Sequence, residues 1–412
     1  MSKNERLFSV YRIFGYDYLF YTVIIFLFMT QTKGVSVGEF MHIAAFYAIF
    51  SAIMQIPCNY IVELIGLKKS IILGNIFLII HCVIYIFSPT FAVFVIAEFF
   101  CAMGFCLKNA SESPLLFSTL KRNGRKAMYS KIEGKSVSKF FYIEALSSCI
   151  VGFLFNVNNY IPIFFTLASL ITALIFSTRF EDMPIEKDEE HVGIKDYFKG
   201  IRLVAKSKRT RAIFSFAFIL TGIIEVAKTL QKDSVVALNV GPVTYSIIFA
   251  LLTFCMGLGS SIEYRFEKYT KRKTLGIIGF SVTILLLLLG LFMRLFNVSE
   301  FLIISVVVIL VFENLFQGIY RISLKKYLTN FTTSSVRSRI FSVYYMFEAL
   351  GKATFLFASG YIINALGTNY TSIIIGVAGI LLVIISLKFM SKRLGLNPEE
   401  YSSDDIFGYE IK

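Results

Sequence analysis

The sequence predicts an all-α polytopic membrane protein with about twelve transmembrane helices in two pseudo-symmetric halves of six. Apolar stretches of about 17–25 residues recur from end to end, each long enough to cross a hydrocarbon core of ~30 Å. Hydrophobic residues make up 56% of the 412 and charged residues only 17%, against roughly 25% charged in soluble domains. Lys and Arg crowd into alternate loops: Lys121 to Lys126, Lys199 to Arg211, Arg265 to Lys273 and Arg321 to Arg339. The short loops between them carry only a few, such as Lys33 and Lys232. That alternation is the positive-inside pattern, and it places the basic loops and both termini in the cytoplasm.

The elements follow from hydropathy and punctuation. The first crossing is expected over Ile13–Thr30, and Ser36-Val-Gly-Glu39 reads as the cap that opens the second, which ends near Ile61. The third covers Ser70–Ser88, with Pro89 marking the turn. The fourth runs from Phe91 to about Phe117, the fifth over Ser136–Phe155 and the sixth over Tyr160–Thr178. Residues 181–210 form the longest polar stretch, read as a cytoplasmic linker with a short amphipathic helix, Ile194–Ser207, on the membrane surface. The second half supplies crossings near Ala212–Leu230, Thr244–Ile262, Thr274–Phe296, Phe301–Tyr320, Ile340–Ala365 and Tyr370–Phe389. The expected organisation is a bundle over 1–180, the linker over 181–210, a second bundle over 211–391 and a cytoplasmic tail over 392–412.

The two halves align without gaps at one constant offset. Glu63-Leu-Ile-Gly-Leu-Lys-Lys-Ser70 falls on Glu267-Lys-Tyr-Thr-Lys-Arg-Lys-Thr274, Thr119-Leu-Lys-Arg122 on Ser323-Leu-Lys-Lys326, and Glu144-Ala-Leu146 on Glu348-Ala-Leu350. Three matches at equivalent topological places argue for duplication, and parallel repeats of this kind are an architecture of secondary transporters.

The turn at 63–70 must reverse the chain at the cytoplasmic interface. Gly66 allows a tight turn, and Lys68 and Lys69 hold the next helix at the anionic leaflet. Glu63 can pair with those lysines or cap a neighbouring helix. Preceded by Ile56-Pro57, this stretch resembles the loop signature of the major facilitator superfamily, Gly-x-x-x-Asp-x-x-Gly-x-basic-basic, with Asn59 at the first Gly and Glu63 at the Asp. Glu267, Arg272 and Lys273 belong to the degenerate second copy. The resemblance implies two six-helix bundles around a central cavity that opens alternately to either side, with these two loops as cytoplasmic gates. Two other patterns of the family are missing. Phe100 and Met103 stand where an Arg-x-x-Gln-Gly would lie before Gly104, and the stretch Ala145–Gly152 contains no proline, so drug–proton antiport does not follow.

Ionisable groups inside a bilayer cost about 2.5–3.5 kcal/mol each on insertion scales, so each needs a partner, a cavity or a function. Asp17, Lys108, Glu112, Glu144, Glu225, Lys228, Glu313, Glu348 and Lys352 are the candidate substrate and proton residues. Lys108/Glu112 and Glu225/Lys228 have the spacing of self-neutralising pairs on one helix face, and both readings stand. Glu348, four residues from Lys352, matches Glu144 in the repeat and is read as facing the cavity. Glu313 has no like-spaced cation on its own helix. Asp17 either faces the cavity or pairs with Arg12. Glu98 and His81 are read as structural.

All six cysteines fall in apolar segments with no CxxC and no His at ligand spacing, so they read as small buried hydrophobes and no metal site is expected. The net charge of +14 reports orientation, and nucleic acid is not expected as a partner. No P-loop, HExxH or GxSxG occurs, which argues against an ATP-driven pump or an enzyme and implies no cofactor. The expected function is secondary active transport of a small organic molecule across a bacterial plasma membrane by a monomer. Proton coupling is expected, and export is given slightly more weight than uptake. The alternative is a non-transporting sensor or assembly partner on a transporter fold.

Overall fold

A computed structural model describes residues 3–88, 90–125, 128–183, 208–270, 273–330 and 334–389. The expected surface helix Ile194–Ser207, Arg272 and the tail from 392 lie outside the described residues. Among the described residues the chain is helical, without strands. Its helices are α1 (Lys3–Gly15), α2 (Ile25–Leu27), α3 (Val37–Ile65), α4 (Leu67–Phe87), α5 (Phe91–Arg122), α6 (Tyr129–Val157), α7 (Ile161–Thr178), α8 (Lys208–Ala237), α9 (Pro242–Thr270), α10 (Thr274–Leu295), α11 (Glu300–Asn330) and α12 (Ser334–Lys388).

Ten of these helices are long and apolar enough to cross a membrane. One of them, α12, is two crossings that meet at Gly367, whose φ of 79° breaks the helix. With the interrupted first segment, the described helices account for the twelve expected crossings. Side chains such as Ile96, Tyr142 and Leu381 lie exposed on the helix exteriors, where a bilayer supplies the apolar surroundings that water would not.

Local sequence accounts for the boundaries. Ser36 and Glu39 form a capping box at the start of α3: the Ser36 hydroxyl accepts from the Glu39 backbone N–H at 3.2 Å, and the Glu39 carboxylate accepts from the Ser36 N–H at 2.8 Å. Gly66 alone joins α3 to α4 at φ 90°, ψ 164°, a conformation open chiefly to glycine. Some helices overrun the hydropathy limits at their C-terminal ends, since α5 continues to Arg122 and α11 to Asn330.

The first crossing departs from the expected continuous helix. α1 stops at Gly15, residues 16–24 are non-helical bends and turns, and the short α2 runs into a π-helix, Phe28–Thr32. Phe20 sits at φ 63°, rare for a bulky residue. Two causes are visible, one local and one from neighbouring helices. The Asp17 carboxylate takes the Tyr18 backbone N–H at 2.8 Å, a short-range bond that competes with the helical ladder. Neighbouring helices then satisfy the freed carbonyls: Lys108 Nζ donates to Gly15, the Thr166 hydroxyl to Leu19 at 2.7 Å, and the Ser169 hydroxyl to Phe14 at 3.4 Å. Irregular backbone at membrane depth is tolerated only with such partners.

The helices cluster into two compact units, Met1–His191 with Gly241–Ala250, and Val192–Val240 with Leu251–Lys412. Within unit 1, α4 and α5 approach closely at Gly74 and Gly104: a Cβ on Gly74 would lie 2.9 Å from the Gly104 carbonyl oxygen. In unit 2, α9 and α11 do the same at Gly259 and Gly318, where a Cβ on Gly318 would lie 2.0 Å from the Met256 carbonyl oxygen.

Candidate functional site

In unit 1 the polar residues gather around the end of α1. Glu112 on α5 is their centre, 2% exposed. Tyr11 Oη donates to its Oε1 at 2.5 Å, and Arg12 Nη1 to its Oε2 at 2.7 Å. The other arm of the Arg12 guanidinium reaches Glu133 on α6. Asn75 on α4 donates to the Tyr11 oxygen at 3.2 Å. Lys108, 1% exposed, lies 3.7 Å from Glu112 and donates to the Gly15 carbonyl at the helix break. Two cations and two carboxylates thus balance within this network, as burial of charge in low dielectric requires.

The expected Lys108/Glu112 pair is therefore a minor contact in a larger network, because a fork from α1 reaches Glu112 first. Arg12 is engaged by Glu112 and Glu133. Asp17 is exposed, on the unwound stretch. Beside that stretch, Tyr18, Tyr21, Glu144, Ser147 and Ser148 line a small open hollow of about 10 Å³, the scale of a single water molecule.

Further along α4 and α5, His81, Glu98 and Cys101 come together although sequence spacing gave no hint of it. The six cysteines are free thiols, and five are buried as expected. Cys149 is exposed, because α6 turns that face outward.

In unit 2, Glu348 accepts from Tyr344 Oη at 2.6 Å and from the Thr221 hydroxyl at 3.4 Å, and Thr221 and Tyr320 share a 2.7 Å hydrogen bond. Glu348 forms no ion pair with Lys352 among the described residues, so it is held by hydroxyls. Glu225 and Lys228 pair at 3.0 Å with both side chains partly exposed, the self-neutralising arrangement. Glu313 is fully buried, and neither of its carboxyl oxygens has a hydrogen-bond partner. The Gln231 amide is its long hydrogen-bond neighbour, accepting from Asn314 at 3.1 Å while its own Nε2 has no partner within 3.5 Å. Gln317, one turn from Glu313 and 3% exposed, has both amide atoms unpartnered.

At the Gly66 turn of unit 1, the Asp182 carboxylate lies over Gly66 and accepts weakly from the Lys68 backbone N–H at 3.5 Å, an acid at the N-terminus of α4. Glu63 and Lys69 are exposed on either side of the turn. In the second copy, Glu267 pairs with Lys326, which also lies 3.9 Å from Glu263, and Ser323 donates to Glu263 at 3.2 Å. Lys273 is exposed.

Sequence reasoning missed Tyr11, Asn75, Thr221, Tyr320, Tyr344, Gln231 and Asp182. Most are uncharged residues in apolar surroundings, invisible to a search for intramembrane charge. Arg12 was visible, but it stood in what read as a cytoplasmic flank.

A model of the Major Facilitator Superfamily matches residues 7–260. A search of curated proteins found no match. Among solved structures, the nucleoside transporter NupG superposes with a TM-score of 0.77 at 11% identity, covering 97% of this chain and 100% of that one. A D-xylose-proton symporter gives 0.71 at 12% identity over 95% and 98%. A POT family transporter in complex with 5-aminolevulinic acid gives 0.68 at 14% identity over 93% of each. At these identities the likeness is one of fold, and the matched family consists of transporters, not enzymes. The chain is a multi-pass membrane protein and belongs to the Major Facilitator Superfamily.

Proposed function

We propose that this protein is a proton-coupled secondary transporter of a polar, hydrogen-bonding small organic molecule, working by alternating access as a monomer in a bacterial plasma membrane with both termini cytoplasmic. The observation that carries the reading is the group of unpartnered polar atoms on Glu313, Gln317 and Gln231. A buried carboxyl, the Gln317 amide and the Gln231 Nε2 without partners cost stability, and a protein retains such groups where a ligand or proton completes them. Amide and carboxyl edges match solutes with several donors and acceptors, the chemistry of nucleosides and sugars named for two of the structural neighbours. Glu348, held only by Tyr344 and Thr221, is a second carboxyl able to exchange a proton without losing a salt-bridge partner. Proton symport into the cell is uptake, the coupling named for the xylose symporter, whereas the expectation from sequence leaned towards export.

The test is transport in proteoliposomes with labelled nucleosides and pentoses under an imposed pH gradient. Gradient-driven accumulation of one class is expected. Glu313→Gln is expected to lose that accumulation by at least tenfold while retaining exchange of labelled for unlabelled substrate. Accumulation that ignores the gradient would remove proton coupling, outward movement would reverse the direction, and an unaltered Glu313→Gln would remove the site.

A further inference from the structure

His81 on α4 and Glu98 and Cys101 on α5 form a compact cluster away from the Arg12–Glu112 network. They are 1%, 7% and 5% exposed. One nitrogen, one oxygen and one sulfur from the three lie within 4.8 Å of one another. Glu98 and Cys101 are three residues apart and so share a helix face.

Each side chain is held from behind. Tyr18 Oη lies 2.8 Å from His81 Nδ1 and 3.6 Å from Cys101 Sγ, and Tyr85 Oη donates to Glu98 Oε1. With Nδ1 occupied, His81 turns Nε2 towards Glu98, 3.6 Å from its Oε1. That nitrogen is buried and has no hydrogen-bond partner. A buried imidazole nitrogen left open beside a carboxylate and a thiol, with its other nitrogen fixed by a hydroxyl, is the arrangement of a metal-ligating histidine and its supporting shell.

We propose that His81, Glu98 and Cys101 bind a zinc-class divalent cation within unit 1. The donor set selects the metal. One nitrogen, one sulfur and one oxygen suit Zn²⁺, whereas Mg²⁺ and Ca²⁺ take oxygen shells. Zinc–ligand bonds of about 2.0–2.3 Å bring donor atoms to roughly 3.3–3.8 Å from each other, so the cluster closes by about an ångström on binding. Charge supports the assignment. Cys101 gives up its S–H proton to solvent as sulfur bonds the metal, and the thiolate, the carboxylate and Zn²⁺ then sum to zero, the balance an apolar interior demands. Three protein ligands leave a fourth position open. Since Tyr18 lies on the unwound stretch of the first crossing, the bound cation would fix that stretch against α4 and α5 through Tyr18.

The test uses the full-length chain, purified in detergent and stripped with chelator, with Co²⁺ as a spectroscopic probe. One equivalent of Co²⁺ is expected to give tetrahedral d–d bands and a near-ultraviolet thiolate charge-transfer band, both displaced by Zn²⁺. Cys101→Ser is expected to abolish the charge-transfer band and Cys82→Ser to leave it intact. Glu98→Gln is expected to weaken Zn²⁺ binding at least tenfold. No spectrum in the wild-type chain, or one indifferent to Cys101→Ser, overturns the proposal. Should the variants fail to fold, X-ray absorption on the zinc-loaded wild-type chain decides it: one sulfur in the first shell supports the site, and a shell of light atoms alone overturns it.

Discussion

Lys108 Nζ donates to the Gly15 carbonyl, joining α5 to the last residue of α1 at the point where the first crossing loses its helix. The lysine carries a positive charge into a fully buried site and spends it on backbone oxygen as well as on Glu112, 3.7 Å away. Lys108→Met keeps the stem but leaves that carbonyl unpaired, a loss of about 1–3 kcal/mol for a buried polar group. Glu112 keeps Arg12 and Tyr11, so folding should survive. The variant is expected to reach the membrane, to unfold several degrees lower in detergent, and to lose most transport. Thr166→Val, which unpairs the Leu19 carbonyl, should show a smaller fall. An unchanged melting temperature in Lys108→Met would show that the break does not depend on the lysine.

Arg12 bridges Glu112 and Glu133 with separate arms of one guanidinium. Lysine offers a single ammonium and cannot reproduce the fork. Arg12→Ala leaves two carboxylates short of their cation, and breaking a buried pair from one side costs about 3–5 kcal/mol. Arg12→Lys is expected to fall between the wild type and Arg12→Ala in thermal stability. Combining Arg12→Ala with Glu112→Gln should restore part of the loss, since no buried charge is then stranded at that pair. Strict additivity in the double variant would mean that the two residues do not interact.

The twelve crossings were legible because a membrane span needs only length and apolarity, and those are properties of sequence. The capping box at Ser36 was legible for a similar reason: both partners lie within four residues. The break at 16–24 was not, because its stretch is as apolar as its neighbours. Besides the local Asp17–Tyr18 bond, what holds it open is Lys108, Thr166 and Ser169, which are more than ninety residues away in the chain. The charged candidates were visible one by one, but their partners were not. Glu348 turned from Lys352, its neighbour in sequence, to Tyr344 and Thr221, and Glu112 reached Arg12 across a hundred residues. Helix periodicity states which residues share a face. It does not state which foreign helix that face will meet.

Gly318 and Gly259 let α9 and α11 touch backbone to backbone. A Cβ on Gly318 would stand 2.0 Å from the Met256 carbonyl oxygen, and backbone cannot swing aside as a side chain can. Gly318→Ala must therefore separate the helices, at about 1–3 kcal/mol for overpacking. Ser260, which donates to the Gly318 carbonyl at 3.1 Å, would be pulled away with them. A clear drop in melting temperature is expected, larger than for Gly257→Ala on α9, where an added Cβ meets nothing within 4 Å. Equal stability of the two variants would refute the close approach.

The pair Glu267–Lys326 tests whether the repeated turns act as latches. Lys326 is 34% exposed at its side chain and Glu267 12%, so water screens the pair and its contribution to stability should stay within about 1 kcal/mol. A latch acts on a conformational balance instead, where even 1.4 kcal/mol is about tenfold in population. Lys326→Glu sets a third carboxylate beside Glu267 and Glu263, and should release the turn with little change in melting temperature. The expected readouts are a fall in transport rate and faster labelling of a cysteine introduced at Ser323. The exchanged pair, Glu267→Lys with Lys326→Glu, should recover both, because attraction between the two positions is restored whichever helix carries the cation. The repeat sets Glu63 and Arg122 in the corresponding places of unit 1, so the same exchange there should behave alike. Failure of the exchanged pairs to recover would mean that the charges serve orientation in the membrane, as basic loops do generally, and that the turns latch nothing.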